Sequence, residues 1–404
     1  PHLDRLAAQG VRFEHATAQS SWTAPSMVSL LQSRYLGADF VRMPAGPTLA
    51  ERLSEVGYRC VAFQDNILLA PGTGFDRGFE LYEIEAGPLK ITPALQRDDP
   101  RPLFAYFHFV DPHDPYDPIP RFDVFPPREI SGERRATLQA ALRGAEPSLA
   151  DAEIEQRVDE ALRHMAGMRA KYDGDVRQTD ARVGFVLEQL ALAGRLDDAY
   201  LIVAADHGEC LWDQREASSM VQDTDRSNLL RLFKMSHNTV LYDSLIHTPL
   251  LMVGPDLPGG VALDAPVENV DIVPTILELL GMPGQEACDG RSLLASMEAA
   301  GRGEPLESGQ TRWSNSSLFT SATSVDGLKL IYPWDPEGID PPQLFDLGSD
   351  PGELQPLPLV GDGWRQLERA IQEYRRTALM PLDGEDLVDE TVAERLRQLG
   401  YLGR

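Results

Sequence analysis

The chain has 404 residues, 42% apolar and 25% charged, which suits one large α/β domain, alone or with a small companion, and argues against a disordered chain. A net charge of −26 repels nucleic acid and anionic membranes, so neither is expected as a partner; an enzyme acting on anions would need local cations, from metal or histidine, to reverse the field at its site. No apolar run is long enough for a transmembrane segment, and three scattered cysteines, Cys60, Cys210 and Cys288, leave open both the compartment (cytoplasmic, or periplasmic and secreted) and the oligomeric state.

In chain order, Pro1-His2-Leu3-Asp4 runs straight into an amphipathic pattern through Leu6, Ala7 and Val11, and reads as a chain entered part-way through. Hydroxyls and Pro25 ahead of Val28-Ser29-Leu30-Leu31 mark a helix start near Thr23. A helix over 48–56 ends at Gly57, and the apolar run 58–63 follows as a buried strand. Further strands are expected at 103–110, 200–205 and 249–253, with a long helical tract over 150–193 and a helix over 270–280 between or after them. Residues 238–245 read as helical, and 212–233 as either a lid or a plain surface insertion. A Gly-, Glu- and Ser-rich linker is expected at 298–311. Short antiparallel strands are expected at 318–323, 328–332 and 343–346, a helix at 364–377 and a last amphipathic helix at 391–402. The fold class is therefore α/β: a mostly parallel sheet flanked by helices over 1–300, a small α+β subdomain over 311–380 and a tail over 381–404.

Working residues of open α/β sheets collect past the carboxyl ends of strands, and two predicted strands end in polar clusters. Ala204-Ala205 leads into Asp206-His207-Gly208-Glu209, where a carboxylate and an imidazole are suitable ligands for a divalent metal and Gly208 lets the backbone turn away. Phe109-Val110 leads into Asp111-Pro112-His113, whose imidazole is placed to donate to an anionic substrate or to protonate a leaving oxygen. Thr23, at a helix amino terminus, has backbone N–H groups and the helix dipole beside it to favour an alkoxide and an incoming oxyanion. His237 gains its weight only from the whole pattern.

Together these stretches resemble the sulfatase family of the alkaline phosphatase superfamily, in order along nearly the whole chain. Pro1-His2-Leu3-Asp4-Arg5-Leu6-Ala7 looks like an early helix of the family, and Thr23-Ala24-Pro25-Ser26 sits where the family carries Cys/Ser-x-Pro-Ser-Arg. Asp206-His207-Gly208-Glu209, His237 with Leu241-Tyr242-Asp243, Val270-Asp271-Ile272-Val273-Pro274-Thr275 and Leu344-Phe345-Asp346-Leu347 are similar to later landmarks. The resemblance implies metal ligation by Asp206, His207 and Thr23, nucleophilic catalysis by Thr23, and contact of His113 and His237 with the ester oxygens or leaving group. It implies a divalent cation, Ca²⁺ first, with the Asp-His pairing fitting Mn²⁺ or Zn²⁺ as well, and a small anionic ester as substrate.

The sequence departs from the family pattern in three ways. The family's opening strand with its paired acidic ligands is not seen, about thirty residues separate His207 from His237, and the nucleophile position holds Thr23, with Met27 in place of arginine. Formylglycine is made from cysteine or serine, so none is expected here, and a threonine alkoxide favours phosphate-type esters. The expectation is a metal-dependent hydrolase of sulfate or phosphate-type esters. The alternatives are a phosphodiesterase or phosphonate hydrolase, a phospho-group transferase, and a non-catalytic binding member of the family.

Overall fold

A computed structural model describes residues 1–36, 43–85, 87–128, 132–215, 233–237, 239–306, 309–338, 340–377 and 379. The first half opens with α1 (His2–Gln9), β1 (Val11–Thr17), α2 (Thr23–Gln32) and α3 (Leu49–Glu55). It continues with β2 (Arg59–Gln64), β3 (Leu81–Ile84), α4 (Pro88–Leu95), β4 (Leu103–His108), α5 (Gly132–Ala145) and α6 (Asp151–Leu192). The predicted helix at 48–56 forms because Thr48 and Glu51 cap it reciprocally, Glu51 N–H donating to Thr48 Oγ1 at 3.1 Å and Thr48 N–H to Glu51 Oε2 at 2.9 Å. All six residues of β2 are buried, as expected of a strand covered on both faces, and β2 pairs in parallel with β3 and β4.

Next come β5 (Leu201–Ala204), β6 (Cys210–Arg215), β7 (Phe233–Ser236), α7 (Asp243–Ile246) and β8 (His247–Val253). They are followed by β9 (Val261–Leu263), β10 (Val267–Glu268), α8 (Ile272–Leu279) and α9 (Leu294–Gly301). A second sheet runs β10-β1-β8-β5, with β9 also on β1; its ladders are parallel except those of β8, which is antiparallel to both β1 and β5. The carboxyl half of α6 ties the two sheets together: Val186 and Leu190 pack in one apolar cluster with Leu103, Ala105 and Phe107 of β4 and Leu201 of β5. Its amino half packs with α5 and Trp212 around Leu138, Leu142, Val158 and Met165 as a satellite core.

The chain closes with β11 (Arg312–Asn315), β12 (Phe319–Thr323), β13 (Leu328–Pro333), β14 (Gln343–Asp346) and α10 (Gly363–Thr377), an antiparallel meander covered through Leu367 and Ile371. This meander is bonded directly to the segment ahead of α2: Asn315 N–H donates to Gln19 O at 2.8 Å and Ser20 Oγ to Asn315 O at 2.8 Å.

Three expectations are corrected. Residues 11–17 continue the amphipathic opening in sequence but form β1, because Gly10 ends α1 against β8, where a Cβ would lie 2.3 Å from Met252 O. The helix expected at 238–245 shrinks to α7, since the chain must straighten into β8 at His247. The expected linker at 298–311 begins inside α9, which buries Met297 against the β1–β8 core. The expected helix at 391–402 and most of the insertion at 212–233 lie outside the described residues.

Candidate active site

Thr23 is the first residue of α2 and is 2% exposed. Pro25 lacks an N–H but sits within the first turn, where no intrahelical bond is lost, so the helix can begin at the hydroxyl. Asp206 and His207 follow β5, and Gly208 is required next: a Cβ there would lie 2.2 Å from Ser244 O, while Gly208 N–H donates to Leu245 O at 2.6 Å. This close approach locks the strand end onto α7.

The side chains expected from sequence converge. Thr23 Oγ1 lies 3.3 Å from His207 Nε2, which lies 3.5 Å from Asp206 Oδ2. His207 Nδ1 lies 2.8 Å from Gly208 O; as donor there, it turns the lone pair of Nε2 toward the carboxylate and hydroxyl. The His207 and His237 rings are 4.4 Å apart between centroids, and those of His237 and His113 are 4.8 Å apart. Three imidazoles from the β5 end, the segment before α7 and the loop after β4 thus form one cluster beside Thr23.

Four further residues belong to this cluster. Asn66, just past β2, donates from Nδ2 to Thr23 Oγ1 at 3.4 Å. Tyr106 and His108, two apart on β4 and therefore on one face, meet at 3.1 Å between Oη and Nδ1. Glu209 Oε1 lies 3.3 Å from His237 Nδ1. Period-two alternation along β4 could have singled out Tyr106 and His108. Asn66 gives no such signal, because its place depends on the β2–β4 register that pairs Gln64 with His108.

Burial alone would raise the Asp206 carboxyl pKa, but the neighbouring His207, His108 and His237 reverse it, and the group is held below its ordinary value. Burial pushes the His108 imidazole down and the Tyr106 hydroxyl well up, so both are neutral near pH 7. Asp206 Oδ2 is buried and has no hydrogen-bond donor among the described residues. An orphaned carboxylate oxygen, an imidazole nitrogen and a hydroxyl pointing together are a donor set that a divalent cation would satisfy. Among the described residues, no group of three or more His, Cys, Asp or Glu side chains is arranged to hold an ion.

The Sulfatase family model matches residues 89–282. Arylsulfatase K of Bos taurus is 28% identical over 228 residues, covering 54% of this chain and 38% of the relative, so the chain spans well under half the length of that protein. Among solved structures, a phosphonate monoester hydrolase of Agrobacterium radiobacter superposes with a TM-score of 0.68 at 18% identity, over 93% of this chain and 90% of the other. The protein BT4656, solved with its substrate D-Glucosamine-2-N, 6-O-disulfate, gives 0.66 at 17% identity, over 93% and 92%. These likenesses show an alkaline phosphatase-like fold.

Proposed function

We propose that the chain is a sulfatase-family enzyme that hydrolyses small sulfate or phosphate-type esters with Thr23 as nucleophile. The observation that supports this is the convergence of Thr23 Oγ1, His207 Nε2 and Asp206 Oδ2 at one point, at the start of a helix. In this reading Thr23 Oγ1, its proton released to water, attacks the sulfur or phosphorus as the alkoxide, and the bond to the leaving oxygen breaks with its electron pair on that oxygen. His113 or His237 supplies the proton, and water then cleaves the threonine ester. Asn66 Nδ2 orients the Thr23 oxygen, and the helix amino terminus faces the non-bridging oxygens.

Asp206, His207 and Thr23 would hold a divalent cation, Ca²⁺, Mn²⁺ or Zn²⁺, which lowers the pKa of the hydroxyl and offsets the charge of the anionic substrate. β4 and β5 are edge strands of their sheets among the described residues, and both end at this point. Threonine favours phosphorus over sulfur as the target, because its ester lacks the release route open to a formylglycine hydrate.

The test is a panel of aryl sulfate, aryl phosphate, phosphodiester and phosphonate monoester substrates with wild type and Thr23→Ala, each with and without a chelator. Turnover of a phosphorus ester is expected, falling roughly 10³-fold or more in Thr23→Ala and disappearing on chelation. Full activity in Thr23→Ala would remove the nucleophile from the proposal.

A further inference from the structure

Glu209 ends the Asp-His-Gly-Glu run, and nothing in the reaction above uses it. Its side chain is only 4% exposed, and a carboxylate so withdrawn from water is costly unless charged or donor groups surround it. A neighbouring imidazole answers that need. His237, itself 4% exposed, turns Nδ1 to Glu209 Oε1 at 3.3 Å. The backbone that presents Glu209 is fixed on both sides. Gly208 is pressed on α7, and Arg169 of α6 donates to Leu211 O from Nε at 3.0 Å and Nη2 at 2.8 Å.

We propose that Glu209 is a positioning residue: it holds His237 by Nδ1, so that the imidazoles of His237 and His113 meet one substrate. A carboxylate that only completed a buried ion pair would not need that ring contact. Here the 4.8 Å edge-on packing of His113 on His237 makes the two rings a unit, and turning one displaces the other. The inference rests on the reading of His237 as a substrate-contacting group, and its test separates the two.

The first measurement needs no substrate: ¹⁵N chemical shifts of the histidine rings, at one pH, in wild type, Glu209→Gln and Glu209→Ala. The His237 Nδ1 resonance is expected to move in Glu209→Ala and to move less in Glu209→Gln, which keeps an acceptor of the same shape. An unmoved His237 signal in both variants overturns the proposal, whatever the enzyme does. The second uses whichever ester the wild type turns over. Glu209→Ala is expected to lower kcat about 10–100-fold with a smaller change in KM, Glu209→Gln to recover most of it, and Glu209→Ala to add less than about twofold in a His237→Ala background. An undiminished Glu209 effect in that background overturns the coupling. If no ester of any class is turned over, the proposed function falls while the ring measurement still decides the role of Glu209.

Discussion

Asn66 serves two masters. Its Oδ1 accepts from Leu68 N–H at 2.9 Å, capping the short turn after β2, and its Nδ2 reaches Thr23 Oγ1 at 3.4 Å. Asn66→Asp preserves the cap and removes the donor, whereas Asn66→Ala removes both. Loss of a helix-type cap costs about 1 kcal/mol. Loss of one hydrogen bond to a reacting oxygen is worth roughly tenfold in rate. Both variants are therefore expected to lose about tenfold or more in kcat/KM and to melt below wild type, Asn66→Ala for its lost cap and Asn66→Asp for the carboxylate it buries. Thermal melts and ester kinetics on the pair check this; wild-type kcat/KM in Asn66→Asp would show that the Thr23 contact does nothing. The same residue marks a limit of reading a sequence. Asp206, His207 and Thr23 declare themselves by standing at a strand end and a helix start, which are local facts. Asn66 and Glu209 act through partners 43 and 28 residues away, and no local pattern encodes such pairings.

Elements divide along the same line. Strands β2, β4, β5 and β8 are legible because each carries a short apolar run, and α6 because its pattern persists through 42 residues. β1 is not, since Val11-Arg12-Phe13-Glu14 alternates on the heels of a helical pattern, and only pairing with β8 and β9 decides between the two periods. The meander is legible as strands, but its hold on the site is not. Lys329 of β13 is fully buried, 2.7 Å from Glu353 Oε1 and 2.7 Å from Asp243 Oδ1, the first residue of α7. Ser316 Oγ donates to Thr239 O at 2.5 Å, and Tyr242 Oη to Gln343 Oε1 at 3.1 Å. The segment between His237 and β8 is thus clamped by the carboxyl-terminal sheet. Lys329→Met leaves Glu353 buried and unpaired and is expected to destabilise by about 3–5 kcal/mol. Adding Glu353→Gln should restore part of that loss, because the uncompensated charge goes with it. Urea unfolding of the single and double variants decides; a double variant no more stable than the single would mean that packing, not charge, holds the clamp.

Over the whole molecule, the charge of −26 interacts with carboxyls the fold has buried. Asp175 on α6 is 1% exposed, with Oδ2 unpartnered among the described residues; burial first, then Asp111, pushes its pKa up to about 7, against a backbone hydrogen bond from Asp117 and the charge of Lys171. Burial likewise pushes up the paired Glu268 and Asp271, which line a small polar cavity with Tyr35 and Arg312. A carboxyl whose folded pKa exceeds its unfolded value of about 4 keeps its proton longer in the native state. Its contribution is most favourable at acid pH and is lost as pH rises through the folded pKa. Asp180 runs the other way: burial would raise it, but N–H donors from Leu3 and His2 hold it down, so its stabilisation exists above about pH 4 and vanishes below. The two trends predict greatest thermal stability near about pH 5 and a fall toward pH 8, measured without divalent metal. Salt separates the local effect from general repulsion, since buried groups are screened far less than the surface. Asp175→Asn removes one titration while keeping the shape, so its melting temperature should decline less between those two pH values, at low and high salt alike. A wild-type melting temperature that holds steady or climbs from pH 5 to pH 8 would show that these buried acids are ionised in the native state, with cations supplied by the fold to match them.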